Sequence, residues 1–304
     1  MNEKALRTLE YHKIIDLLVR HANCEAAKQR CKKLTPMTSL ADIETAQRQT
    51  ADALSRIFKK GSLSFLGVHD VTASMKRLEI GAALSIEELL HLASLLEVAK
   101  RAKAYSRNDR TEEAETSDSL DEFFDGIEPL TPLLEEIRRC IISSDEISDD
   151  ASSALKDIRR EIKQTNISIH NKLTSVINSQ NNKTMLQDAL ITVRNGRYCV
   201  PVKTEYRNAF PGMIHDQSSS GSTLFIEPMA VVQLNNHLKE LDIKEKMEIE
   251  KILQSLSAQA ASCSRELEEN QKILTKLDFI FAKAKYAKEY QGTEPIFNTD
   301  GIVD

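Results

Sequence analysis

Apolar residues stand seven apart at Leu155, Ile162, Ile169 and Val176, with Ile158 beside them. That period predicts one strand of a two-stranded helical pair, because 3.5 residues per turn keep a single stripe facing the partner. The stripe extends over roughly 30 residues, a helix about 45 Å long at 1.5 Å per residue. A second stripe, Val231, Leu234, Leu238, Leu241, Ile249, Ile252, Leu256, Ala260 and Cys263, predicts a returning helix from Pro228 at its first position to the Lys272 region. The two are expected to pack antiparallel. Only 9 Gly, 7 Pro and no Trp, with 29% charged residues, fit such long helices better than a many-stranded fold.

The β-rich sequence of the chain lies between the stripes. Residues 189–203, ALITVRNGRYCVPVK, are two β-rich runs joined by Asn195-Gly196, a pair suited to a type I′ turn that needs φ > 0 twice. Residues 213–227, MIHDQSSSGSTLFIE, predict a second hairpin across residues 219–221. A two-residue turn sets Arg194 opposite Arg197 on one face, with Val193/Tyr198 and Ile191/Val200 on the other. The two like charges repel, and a phosphate, which suits the planar guanidinium, would remove that cost. Charge reversal at these positions is expected to leave the fold intact, because substitutions beside an exposed turn usually cost under about 0.5 kcal/mol.

The net charge of −5 hides an uneven distribution. Residues 109–150 hold 15 acidic side chains against 3 Arg, whereas residues 155–207 hold 10 Lys/Arg against 4 Asp/Glu, a net of +6. Lys183, Lys203 and Arg207 surround the first hairpin, and Lys156, Arg159, Arg160, Lys163 and Lys172 continue the charge along the helix. That is an electrostatic footprint for a nucleic-acid backbone. Tyr198, Tyr206, Phe210 and Phe225 suit a small sheet core at least as well as base stacking, so backbone contact is favoured over base readout.

The first hundred residues read as a helical bundle. Leu6, Leu9, Ile14, Leu17 and Leu18 recur at helical spacing, Pro36 breaks the pattern, and Ser39 is placed to cap a helix over 40–58. Gly61 and Gly67 bracket a loop. Ser85 and Glu88 form a capping box before Leu89, Leu90, Leu92, Leu95 and Leu96, which predict burial on more than one side. Residues 106–126 read as a polar linker, and Pro129 and Pro132 start a short helix through Ile142. The acidic run SSDEISDD reads as a solvated helix start, since it lacks the spaced ligands of a calcium loop.

Catalytic patterns are missing. The glycines open no phosphate-binding loop, and the seven His and five Cys show no metal-ligand spacing. His215-Asp216 beside Ser218, Ser219 and Ser220 resembles a triad in composition only, because adjacent strand residues point to opposite faces. The five cysteines read as reduced, partly buried thiols. No stretch approaches the roughly 18 apolar residues of a membrane span and no signal peptide is visible, so a cytoplasmic protein without a membrane partner is expected.

The stretch LQDALITVRNGRYCVPVKTEYRNAFPGMIHDQSSSGSTLFIEPMAVVQLNNHLKEL, with KLDFIFAKAKYA, LEYHKIIDLL and GVHDV, closely resembles the second bacterial paralogue of the MutS family. The resemblance covers nearly the whole chain. It implies a mainly α fold, a helical bundle core with a long antiparallel coiled-coil lever tipped by a small antiparallel β clamp. The implied divisions are a helical core over 1–150, an outgoing lever helix over 151–182, the β clamp over 183–227, a returning helix and core over 228–290, and a linker over 291–304. Intact members resemble this region followed by an ATPase, which would bring ATP and Mg, and a C-terminal Smr endonuclease domain; the residues present are expected to hold no cofactor and no catalytic site. The implied activity is an ATP-gated homodimer that clamps branched DNA to suppress recombination, or binds collided ribosomes through rRNA and splits them. The residues expected to contact nucleic acid are Lys183, Arg194, Asn195, Arg197, Tyr198, Lys203, Arg207, His215, Ser219 and Ser220. The competing expectation is a coiled-coil dimerisation or protein-docking module.

Overall fold

A computed structural model describes residues 3–107 and 118–297. The described elements run, in order, α1 (Glu3–Thr8), α2 (Tyr11–His21), α3 (Glu25–Lys32), α4 (Leu40–Lys60), α5 (Thr72–Glu79), α6 (Ile86–Arg107), α7 (Asp121–Asp125), α8 (Thr131–Cys140), β1 (Ile141–Ser143), β2 (Glu146–Ile147), α9 (Ser153–Asn178), α10 (Gln180–Lys183), β3 (Thr192–Arg194), β4 (Arg197–Lys203), β5 (Gly212–Gln217), β6 (Thr223–Pro228), α11 (Met229–Ser262) and α12 (Ser264–Glu289). The chain divides into two compact units, one of Met1–Glu146 with Leu253–Asp304 and one of Ile147–Ile252. The protein is mainly helical, with two small antiparallel sheets.

The larger unit is a helical bundle around α12, whose Leu267, Leu274, Leu277, Ile280 and Phe281 are buried against α2 to α6. Helix α6 is buried on more than one side, as its leucine-rich sequence predicts, and opens on the expected capping box: Ser85 N–H donates to Glu88 (2.8 Å) and Glu88 N–H to Ser85 Oγ (3.2 Å). In the first stripe Leu9, Ile14 and Leu17 are exposed, and Ile15 and Leu18 carry the burial. The acidic stretch read as a linker over 106–126 is corrected where it is described. Leu120, Phe124 and Ile127 are fully buried, and Arg56 grips Asp118 (2.6 and 2.8 Å) and Asp121 (2.7 Å). Residues 108–117 and the end of the expected 291–304 linker, 298–304, lie outside the described residues.

In the smaller unit a four-stranded antiparallel sheet of order β3-β4-β6-β5 packs against α9 and α11. Ile169, Leu173 and Ile177 of α9, Val200 and Val202 of β4, Leu224 and Ile226 of β6 and Val231 of α11 form its core, each side chain stabilising by about 1.5–3 kcal/mol on burial. The two helices run antiparallel: Ser152 reaches Glu248 (2.9 Å), Arg159 reaches Glu245 (2.7 Å), Glu161 reaches His237 (2.9 Å) and Lys172 reaches the Ala230 carbonyl (3.5 Å). As one partner's number rises the other's falls.

The stripes themselves are adjusted. Ile162 and Val176 are half-buried, and Thr165, Leu173 and Ile177 share the burial with Leu155 and Ile169. A helix of 3.6 residues per turn drifts from a strict seven-residue repeat, and near the sheet the face of Leu173 and Ile177 is the one that meets it. The returning helix is also corrected at both ends. Pro228 closes β6, paired with Gly212, and the helix breaks at Cys263 (φ −117°, ψ 19°) rather than continuing to Lys272.

Candidate nucleic-acid interface

The first hairpin forms with the expected register. Asn195 (φ 51°) and Gly196 (φ 71°) both adopt positive φ, and Arg194 faces Arg197, Val193 faces Tyr198 and Thr192 faces Cys199. The facing arginines have carboxylate partners within the chain, so the anion expected to relieve their repulsion is already supplied by the fold. Arg197 Nη1 donates to both oxygens of Glu227 (2.9 and 3.1 Å) and Nη2 to Asn236 Oδ1 (2.6 Å). Arg194 Nε lies 3.3 Å from Asp216, and its guanidinium stacks 4.0 Å above the Phe225 ring. Because the Glu227 carboxylate is 0% exposed, reversing Arg197 would set a second carboxylate against a buried one, which argues against a harmless charge reversal.

Glu227 gathers more than Arg197. His215 Nε2 sits 2.5 Å from it and Asn235 Nδ2 donates to it at 2.7 Å. A register shift between Ile214 and Asp216 makes this possible, turning His215 toward Glu227 while Asp216 faces Arg194. Gly212 allows β5 to approach closely, since a Cβ there would lie 2.4 Å from the Glu227 carbonyl oxygen. Asn235 also brackets the Tyr198 backbone, accepting from its N–H and donating to its carbonyl, both at 3.2 Å. The Tyr198 hydroxyl donates to Asn166 Oδ1 on α9 (2.8 Å), and Asn195 Nδ2 donates to the His215 carbonyl (3.0 Å). Burial pushes the Cys199 thiol up to about 11, far from a nucleophile's range.

The second hairpin turn is built differently. Gly221 (φ 74°) closes it with its N–H on the Ser218 carbonyl (2.8 Å), and Ser218 Oγ accepts the Thr223 N–H (3.1 Å). The serine hydroxyls bond one another, Ser218 to Ser220 at 3.3 Å and Ser220 to Ser222 at 2.8 Å, while the His215 ring is held by Glu227. Thr204 Oγ1 donates to the Gly221 carbonyl (2.6 Å), tying the turn to the end of β4, where Lys203 Nζ donates to the Thr184 carbonyl (3.1 Å). Lys183, Arg207, Ser219, Ser220 and Ser222 are exposed. Among the described residues neither Lys183, Lys203 nor Arg207 has a carboxylate partner, whereas Lys156, Arg159 and Arg160 of α9 pair with Asp150, Asp149 and Glu245, and Asp157.

The expected site residues thus fall into two groups. Arg197 and His215 meet on Glu227, with Arg194, Asn195 and Tyr198 joined to the neighbouring Asp216, His215 and Asn235, whereas Lys203 and Arg207 lie on the segment that Thr204 ties to the second turn, Lys183 precedes the Thr184 that Lys203 bonds, and Ser219 and Ser220 form the turn itself. Sequence reasoning missed Glu227, Asn235, Asn236 and Asn166. A signal existed in Asn235-Asn236, an uncharged polar pair beside the apolar stripe between Leu234 and Leu238.

No family model matches the chain. Among curated proteins it is 55% identical over 304 residues to Endonuclease MutS2 of Agathobacter rectalis, covering 100% of this chain and 38% of that protein. It is 53% identical to Endonuclease MutS2 of Lachnoclostridium phytofermentans over 98% of the chain, and 48% identical to that of Lachnospira eligens over 100%. The chain spans 38% of the length of each of these relatives. Identity at this level over nearly the whole chain means that the chain belongs to the MutS2 family.

Proposed function

We propose that this chain is the nucleic-acid-binding lever and clamp region of a MutS-like protein. The observation that carries the reading is the basic segment 155–207, net +6 on a chain of net −5, which ends in a small sheet where Lys183, Lys203 and Arg207 stand without carboxylate partners among the described residues. Cations left unneutralised release counterions when they meet phosphates, the main source of backbone affinity. The antiparallel α9 and α11 would serve as the lever and the sheet as the clamp, with contacts drawn from the ten expected site residues.

The intact protein would be a cytoplasmic, ATP-dependent homodimer, its ATP and Mg held by an ATPase and its strand cleavage carried by an Smr endonuclease domain, both outside these residues. It would clamp branched DNA to suppress recombination, or bind the rRNA of collided ribosomes and split them. Binding of the 304-residue chain to a four-way DNA junction and to ribosomes across a salt series tests the reading. Binding that weakens steeply with salt is expected. No binding to either at about 50 mM salt, where exposed charges are least screened, would reject it in favour of a docking module.

A further inference from the structure

We infer that the nucleic-acid backbone is gripped at the 218–222 turn, by Lys183, Lys203 and Arg207 with the neighbouring serine hydroxyls, while the arginines of the Asn195-Gly196 turn are internal ion pairs that hold the sheet. The inference rests on the nucleic-acid reading above and divides its candidate residues in two.

Charge availability decides the division. Arg197 Nη1 donates to both oxygens of a carboxylate that is 0% exposed, so a phosphate taking Arg197 would strip a buried Glu227 of its guanidinium. Arg194 is held between Asp216 and the Phe225 ring. Lys203 spends its ammonium on a carbonyl alone, and exposed Lys183 and Arg207 have no carboxylate partner among the described residues. These three keep a full positive charge to exchange for counterions.

Placement supports the same end of the sheet. Lys203 pairs with Thr223 at the start of β6, Thr204 bonds Gly221 and Ser222, and Lys183 precedes the Thr184 whose carbonyl Lys203 holds. The Arg207 N–H donates to the Thr204 carbonyl (3.2 Å), so all three cations lie on segments tied to the turn that bears the exposed Ser219, Ser220 and Ser222. Neutral hydroxyls beside Lys and Arg match phosphate oxygens. The exposed large apolar residues of the four strands sit elsewhere: Met213 pairs with Glu227, Ile214 with Ile226 and Val193 with Tyr198. A protein partner would look for such residues, and the 218–222 turn offers it none. The rings of the unit are also engaged, Phe225 under Arg194, Phe210 in the core, and Tyr198 and Tyr206 packed against it, which favours sugar-phosphate over stacked bases.

The test compares the whole chain with its Lys183→Gln/Lys203→Gln/Arg207→Gln variant, on a four-way DNA junction and on ribosomes. On the junction the slope of log K against log salt should fall by about 2.7, roughly 0.9 for each lost phosphate contact, with the circular dichroism spectrum unchanged. A Lys59→Gln/Lys76→Gln control, exposed and in the other unit, should keep the wild-type slope. An unchanged slope in a folded, binding triple variant would overturn the inference and leave the nucleic-acid reading standing. A larger slope loss from Arg194→Gln/Arg197→Gln than from the triple variant would overturn it as well. A wild-type chain that binds neither polymer ends both. The arm with the tighter binding names the polymer.

Discussion

The Asn195-Gly196 turn and the 218–222 turn both close antiparallel hairpins on a positive-φ glycine, Gly196 at 71° and Gly221 at 74°. They differ in where their polar groups go. Around the first, charged groups look inward to Glu227 and Asn236, which are 30 and 39 residues from Arg197 in sequence. Around the second, hydroxyls satisfy one another locally and the nearest cations keep only carbonyl or solvent partners. Turn chemistry is a local property and predicts both backbones; neutralisation depends on what the fold delivers from far away. A basic residue at a tip is therefore a ligand contact only after its internal carboxylates have been counted.

The sharpest way to break the comparison is at Glu227. Glu227→Ala removes the acceptor of Arg197, His215 and Asn235 at once, and we expect a loss of about 3 kcal/mol, the low end for removing one partner of a buried pair, since Arg197 keeps some access to water. Amide exchange at Val200 and Ile226, in the strands beside it, reports the loss. Undiminished protection there would mean the network does not hold the sheet. Combining Glu227→Ala with Arg197→Met should show a coupling of roughly 1–3 kcal/mol, as for residues in one network.

A smaller effect is expected at Gly196. A Cβ there meets nothing within 4 Å, so Gly196→Ala isolates the left-handed backbone and should cost about 1 kcal/mol. Gly221→Ala, at nearly the same φ, should cost about as much. If the same exchange measurement showed Gly196→Ala to be neutral, the type I′ geometry would be wrong, and with it the facing of Arg194 and Arg197.

Much of this architecture was legible in the residues. The capping box at Ser85 and Glu88 and the Asn195-Gly196 register follow from spacing alone, because each is set by local backbone geometry, and the opposed directions of the two long helices were expected from the hairpin segment between their stripes. The break at Cys263 was not legible: Ala260 and Cys263 continue the apolar stripe, and nothing in the pattern between them stops a helix. Nor was the role of residues 118–126, where acidic composition suggested a linker and burial of Leu120 and Phe124 under an Arg56 ion pair makes it core. At the site, the positions of Arg194 and Arg197 were predicted and their partners were not, since Glu227 reads as one more polar strand residue until the β5 bulge brings His215 against it.

The smallest predicted effect lies inside the second turn and separates its architecture from its exposed surface. Ser218 Oγ accepts the Thr223 N–H, so it satisfies a backbone donor where β6 begins, whereas Ser219 is exposed and has no side-chain hydrogen bond among the described residues. Ser218→Ala should therefore cost about 1 kcal/mol, the net worth of one hydrogen bond with its donor left to find water. Ser219→Ala should stay within about 0.5 kcal/mol, as surface substitutions away from caps and networks do. Thermal unfolding of both variants beside wild type makes the comparison. Equal losses would mean that Ser219 takes part in building the turn, and its hydroxyl would then be no freer for a phosphate than that of Ser218.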